Sequence, residues 1–337
     1  MRRFAWLSAF SAALTFPLIS FGAIVRLKGA GLACPDWPLC YGQVTPLSDV
    51  ITPAPAGLGI ALEVGHRYVA GILGLFVLGL FIASWWMWSR SKSDRRYLKP
   101  VVFWSSVAMG ILAPQVVLGG LTVLMKLAPA TVSLHLLFGN LLWAALLLLT
   151  LSAFNALRHI THGLPPVSFR PGPFGKLAMV ALGFTFVQIF LGGWVSASGA
   201  SMACTAFPHC GEGHAEAGLS MLQMVHRGVG FSLLVVFIAL VVSSFRIEGI
   251  SRQLRTASVT LIGLVLFQIG LGWYNVVNAV PVPTSSLHTA TAATIVGVMV
   301  WTVFNAMAAG EFSLEESGHQ KRGYTDFSDN VSAPLGK

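Results

Sequence analysis

The sequence predicts an all-α integral membrane protein, with eight transmembrane helices forming two tandem parallel-repeat four-helix bundles. Three observations lead there. The chain has 337 residues, of which 55% are hydrophobic and 10% charged. Its mean hydropathy is +0.74, and soluble domains carry roughly 25% charged residues. Eight apolar runs, at about 4–25, 64–88, 101–124, 131–156, 177–197, 222–245, 256–278 and 285–308, are each long enough to cross a bilayer. Finally, the stretch Glu63-Val64-Gly65-His66-Arg67 returns later as Gln223-Met224-Val225-His226-Arg227.

The first run follows Met1-Arg2-Arg3 and extends from Phe4 to Val25. It is longer than the roughly 7–15 residues of a signal-peptide apolar core, so it reads as span one. Lys and Arg then set the orientation. Sixteen of them, from Arg2, Arg3 and Arg90 to Lys321, Arg322 and Lys337, fall on one side, against Arg26, Lys28, Arg67, Lys126 and Arg227 on the other. Both termini are therefore expected in the cytoplasm, with the long connections after Leu27 and Ser198 outside. A net charge of +9 spread over short loops serves topology. Nucleic acid is not an expected partner; the lipid bilayer is.

The halves match further. Cys34 and Cys40 are spaced like Cys204 and Cys210, and the Gly22-Ala23-Ile24-Val25 stretch parallels Gly193-Trp194-Val195. Gln115 precedes His135 by 20 residues, and Gln268 precedes His288 by the same 20. Four spans per half give both halves one orientation, related by an axis along the membrane normal. The expected organisation is a first repeat at 1–157, a linker at 158–176, a second repeat at 177–309 and a polar tail at 310–337.

Intramembrane ionisable groups are costly and mark function. A single His on an apolar helix is ordinarily a packing residue or part of a proton path. Here His66, His135, His226 and His288 lie at one depth on spans two, four, six and eight. One His from each of two helices is what bis-imidazole ligation of a heme iron needs. Zinc takes three or four ligands, and soft copper prefers sulfur. Heme is the metal reading that fits, with His66 paired to His135 and His226 to His288. His159, His162, His209, His214 and His319 read as solvated loop or tail residues, although His209 and His214 flank a cysteine pair.

Arg67 and Arg227 are read either as headgroup anchors or as partners of heme propionates, and their recurrence favours propionates. Gly71, Gly74, Gly139, Gly228 and Gly230 provide either room for a macrocycle or close helix packing. Glu63 lies one turn from His66 on the same helix face, where the other half has Gln223. An acid in one half only suits proton-coupled chemistry better than simple electron relay, although capping a helix or pairing with Arg67 would also use it. The four cysteines lie on the oxidising side, so Cys34–Cys40 and Cys204–Cys210 disulfides acting as loop staples are expected. A redox role for them is the lesser reading.

From about Ser20 to Ala306, these motifs together resemble the heme A synthase family. The resemblance implies oxidation of the ring-position-8 methyl group of heme O to a formyl group, through a hydroxymethyl intermediate, for terminal oxidases. It implies substrate heme O between His66 and His135, and a heme b cofactor between His226 and His288 near Arg227. Glu63 is then the catalytic acid, and Arg67 a propionate contact. A heme O synthase (farnesyltransferase) partner and an unidentified electron carrier are further implications, as is a cell inner (plasma) membrane setting. Two other classes compete with this reading. A two-heme b-type quinol-linked electron-transfer cytochrome explains the histidines but not the lone Glu63. A transporter with an alternating-access repeat leaves the histidines without a shared purpose.

Overall fold

A computed structural model describes residues 1–44, 46, 56–163, 171–210 and 216–309. The architecture is all-α. Its helices are α1 (Arg2–Leu27), α2 (Ala56–Arg90), α3 (Arg95–Leu124), α4 (Pro129–His162), α5 (Pro173–Ala197), α6 (Ala217–Arg246), α7 (Arg252–Val277) and α8 (Val282–Ala309). All eight are long and apolar enough to cross a membrane, and the chain is a multi-pass membrane protein. The helices extend past the apolar runs because helical hydrogen bonding does not stop where hydropathy falls. Thus α2 begins at Ala56, and Glu63 and His66 stand inside it rather than at its start. Likewise α4 covers 158–162, which the sequence assigns to the linker. His214, His319, Arg170 and the tail at 310–337 lie outside the described residues.

Local chemistry sets several ends. Pro129 and Pro173 occupy first helical positions, where the missing N–H costs nothing. The Ser251 hydroxyl caps α7 by accepting the Leu254 N–H at 3.3 Å. Gly29 and Gly199, with φ of 68° and 78°, turn the chain out of α1 and α5 into matching 3-10 turns. The short α3–α4 and α7–α8 connections both place two ordinary residues at positive φ, Lys126 and Leu127 in one, Ala279 and Val280 in the other. Each connection is closed by an amide reaching back over the turn, Leu127 to Thr122 at 2.8 Å and Val280 to Asn275 at 2.7 Å.

Packing divides the helices into two closed squares. In one, α1 meets α2 and α4, and α3 meets α2 and α4; α5 to α8 form the same ring. Each ring encloses its own core. Leu18, Val77, Val101 and Leu146 contribute to the first, and Ala181, Phe237, Leu261 and Met299 to the second. A third cluster joins the rings where α4, α5 and α8 meet, built on Trp143, Ile189 and Val296. The Trp143 indole lies against Gly297, where an added Cβ would come within 2.5 Å of the ring. Its Nε1 donates to the Ala12 carbonyl at 3.0 Å, tying α4 to α1 as well. The two central helices are accordingly the most buried, α4 at 56% and α8 at 50% of their apolar windows, against 17–33% for the rest.

Candidate functional site

The chain concentrates its polar chemistry at the end of the bundle that carries the cysteine loops. There α2, α4, α6 and α8 each present one histidine from their N-terminal halves, and each imidazole lies against a glycine of the preceding helix. A Cβ on Gly22 would lie 3.1 Å from Cε1 of His66, and one on Gly119 would lie 3.1 Å from that of His135. In the other ring the same distances are 3.0 Å from Gly192 to His226 and 3.4 Å from Gly272 to His288. At the first three positions a Cβ would crowd the ring, which would have to give by a few tenths of an ångström.

His66 and His135 are close enough to interact electrostatically, as are His226 and His288. The histidines therefore meet in the two pairs that the sequence spacing suggested. His135 Nδ1 lies 3.2 Å from the Gln115 carbonyl. The Nδ1 atoms of His66, His226 and His288 are buried without a hydrogen-bond partner.

Gln188 and Gln268 secure the histidine helices, each donating its amide to the carbonyl of a site histidine, His226 at 3.0 Å and His288 at 2.9 Å. Gln115 takes the matching place beside Gly139, and position 18 carries Leu where the second ring has Gln188.

These contacts correct the sequence register. Gly192, rather than Gly193, matches Gly22, because both face a site histidine; Gly193 instead packs against Ser133 of α4, 3.1 Å from its Cα. The sequence points to glycines that follow each histidine, whereas the cradle glycines lie on the preceding helices. Of the former, Gly71 and Gly228 have open space around them, while Gly139 and Gly230 make room for Gln115 and Gln188. The signal was present in the four-residue step from Gln115 to Gly119 and from Gln268 to Gly272.

The disulfide loops fold over this end. Both bridges form, with Cα separations of 4.8 Å for Cys34–Cys40 and 4.4 Å for Cys204–Cys210. Glu63, only 4% exposed, accepts the Cys34 N–H on Oε2 at 2.8 Å and pairs through Oε1 with Arg67 at 2.5 Å. Gln223 does the same service, accepting the Cys204 N–H at 2.7 Å and donating to the Ser201 carbonyl at 3.0 Å. An amide suffices for the clamp in one ring, so the clamp alone does not account for the acid in the other. Among the described residues Glu63 is the only buried carboxylate.

Arg67 and Arg227 are directed at loop carbonyls. Arg67 reaches Asp36 at 3.0 Å and Leu39 at 2.7 Å. Arg227 reaches Ala206 at 2.7 Å, Cys204 at 2.9 Å and His209 at 3.2 Å. His209 is thus placed in the loop by its backbone, with its side chain exposed. In the first loop, Asp36 accepts the N–H groups of Tyr41 and Gly42, at 2.7 and 2.8 Å. The Gly42 amide, seconded by that of Tyr41, holds this carboxyl below the usual range. His159 departs from expectation. It lies within α4, buried and stacked on Tyr97 at 6.1 Å between centroids, so it packs the opposite end of the bundle. His162 is the last residue of that helix rather than part of a loop.

The donor set fits a heme iron. Each ring holds two buried imidazoles backed by glycine, with their Nδ1 atoms buried in protein or against the Gln115 carbonyl. No group of three or more His, Cys, Asp or Glu suited to another metal occurs among the described residues.

The chain is 32% identical to a heme A synthase of Shewanella oneidensis, over 88% of this chain and 94% of that protein. It is 30% identical to the heme A synthase of Shouchella clausii, over 74% and 79% of the two chains. With that of Geobacillus thermodenitrificans the identity is 27%, over 97% of both. The model of the cytochrome oxidase assembly protein family COX15-CtaA matches residues 5–300. With eight membrane-length helices and a family model matched over residues 5–300, the chain belongs to the COX15-CtaA family of cytochrome oxidase assembly proteins.

Proposed function

We propose that this protein is a heme A synthase, an oxidoreductase that converts the ring-position-8 methyl group of heme O to a formyl group through a hydroxymethyl intermediate. The observation that carries the reading is the pairing of two equivalent histidine sites with one inequivalent neighbour, Glu63 against Gln223. We take the rings as tandem repeats, 1–157 and 177–309. The first holds substrate heme O between His66 and His135, and the second a heme b cofactor between His226 and His288. Heme b, when bound, supplies an iron centre able to exchange single electrons.

The chain's own residues divide the remaining work. The glycine-backed imidazoles orient their ligand, because each ring is confined between its cradle and the site. Each two-electron stage at the methyl group passes its electrons to the electron carrier and releases protons, and the first also adds the oxygen of a water molecule. Glu63, within one turn of His66, is placed to take those protons on a carboxylate oxygen. Its contacts with Arg67 and the Cys34 N–H fix the direction of the carboxylate. The clamp also shuts the loop over the first site. Gln223 cannot accept a proton in this way, which leaves the second ring to electron exchange. Arg67 and Arg227 hold the loops and stand beside any propionate that emerges there. The 16-to-5 division of basic residues supports cytoplasmic termini, and the family resemblance supports a bacterial plasma membrane. Heme O then arrives from a farnesyltransferase, the heme O synthase.

The test is mass analysis of heme extracted from purified protein co-expressed with a heme O supply. Heme B together with heme O, its hydroxylated form or heme A is the expected result. Heme B alone, at two per chain, would instead indicate an electron-transfer cytochrome.

A further inference from the structure

Arg26 stands where the two rings meet. Its Nη1 donates to the Ser196 carbonyl at 3.2 Å and its Nη2 to the Ser196 hydroxyl. The two residues are 170 apart in sequence, the same interval that separates Cys34 from Cys204 and Gly22 from Gly192. A residue of one ring therefore binds its own counterpart in the other.

Depth is the second point. Arg26 lies four residues beyond Gly22 on α1, and Ser196 four beyond Gly192 on α5. Positions four apart share a helix face. Arg26 thus sits one turn outward of both glycines that touch His66 and His226, at a rise of about 6 Å.

The third point is charge. Arg26 is partly buried, yet among the described residues it has no carboxylate partner; Glu63 pairs with Arg67. A guanidinium offers five N–H donors, and Ser196 takes two. Neutral acceptors are poor compensation for a partly desolvated cation. The neighbouring guanidiniums of Arg67 and Arg227 are occupied with loop carbonyls, so Arg26 is the cation left facing the seam.

We propose that Arg26 is a carboxylate-binding residue shared by the two sites, accepting a propionate of a porphyrin held by the adjacent histidine pairs. Ser196 holds the guanidinium across the seam, so that its free edge serves as a fork for one carboxylate. Serine at position 196 is what permits this. A second arginine there would place like charges together on one axis. The inference rests on the reading that the histidine pairs bind heme, and it adds the residue that orients the propionate edge.

The experiment crosses Arg26→Gln with masking of the carboxylates. Full-length wild type, Arg26→Gln and Ser196→Ala are titrated with iron protoporphyrin IX and with its dimethyl ester, following the Soret band. Wild type should prefer the free acid by about 10- to 100-fold, the range for a hydrogen bond to a charged group. Arg26→Gln should lose that preference by weakening the acid while leaving the ester unchanged. Ser196→Ala, which keeps the cation, should retain most of the preference. Equal weakening of acid and ester in Arg26→Gln, or no change in either, would overturn the proposal.

Repeating the cycle with His226→Ala or His66→Ala assigns the carboxylate to the first or the second site. Coupling in neither background also overturns the proposal. A separate failure is recognisable: if neither histidine substitution alters binding of either porphyrin, the heme-site reading itself falls. Propionate bands in the resonance Raman spectrum provide a readout independent of turnover, and they should shift in Arg26→Gln.

Discussion

Gly22 packs on His66 across the α1–α2 interface so closely that a side chain there would crowd the imidazole. A Cβ at position 22 would lie 3.1 Å from Cε1 of the imidazole, and the Gly192–His226 pair repeats this at 3.0 Å. The glycines thus govern where the imidazoles stand.

Substituting the cradle should therefore displace a ligand without touching it. Gly192→Val should lower heme retention by the second site roughly ten-fold, equivalent to about 1.4 kcal/mol of overpacking. Gly71→Ala, in open space, should leave it unchanged. Pyridine hemochrome content of the purified variants measures both. Equal retention in the two would dissociate the cradle from ligand placement.

His226→Ala and His288→Ala should each abolish the six-coordinate b-type spectrum of the purified protein, since each removes one of two facing imidazoles. A normal reduced spectrum in both variants would refute the cofactor assignment.

Glu63→Gln copies what the second ring already does. The Cys34 amide keeps an acceptor, as Cys204 does with Gln223, so the loop stays clamped, and the cost in thermal stability should stay below the roughly 3–5 kcal/mol of a broken buried ion pair. Heme should still bind, while formation of oxidised product falls by about 100-fold, the scale of a lost general base. Wild-type yields of hydroxylated heme would end the catalytic role of this residue.

The Trp143–Gly297 contact joins the rings. Gly297→Leu forces a side chain into the indole and should cost about 1–3 kcal/mol. Thermal unfolding in detergent would register it. Combining it with Trp143→Leu should recover part of the loss, because the two residues share one volume.

The first cysteine loop should respond to acid. The Asp36 carboxyl is held below its usual range by the Gly42 and Tyr41 amides. A lowered folded-state value means that the stabilisation is present above the unfolded value and is lost as pH falls through the folded one. The Tyr41 and Gly42 amides should be protected at neutral pH and lose protection from about pH 4 downward. Hydrogen exchange across that range measures it, and Asp36→Asn should remove the pH dependence.

The sequence alone was enough for the membrane-spanning architecture and the two cysteine bridges. Those properties are local. Hydropathy over twenty residues decides whether a helix can reside in lipid. The tertiary structure alone decided what stands beside each group. Gly192 rather than Gly193 backs His226, because only the packing of α5 on α6 chooses which of two adjacent glycines faces a ring. His159 is buried against Tyr97, although its polar surroundings in sequence read as a loop. Arg67 and Arg227 turn to loop carbonyls, and Arg26 meets Ser196 from 170 residues away. Such contacts depend on how helices close into rings, and neither periodicity nor composition carries that information.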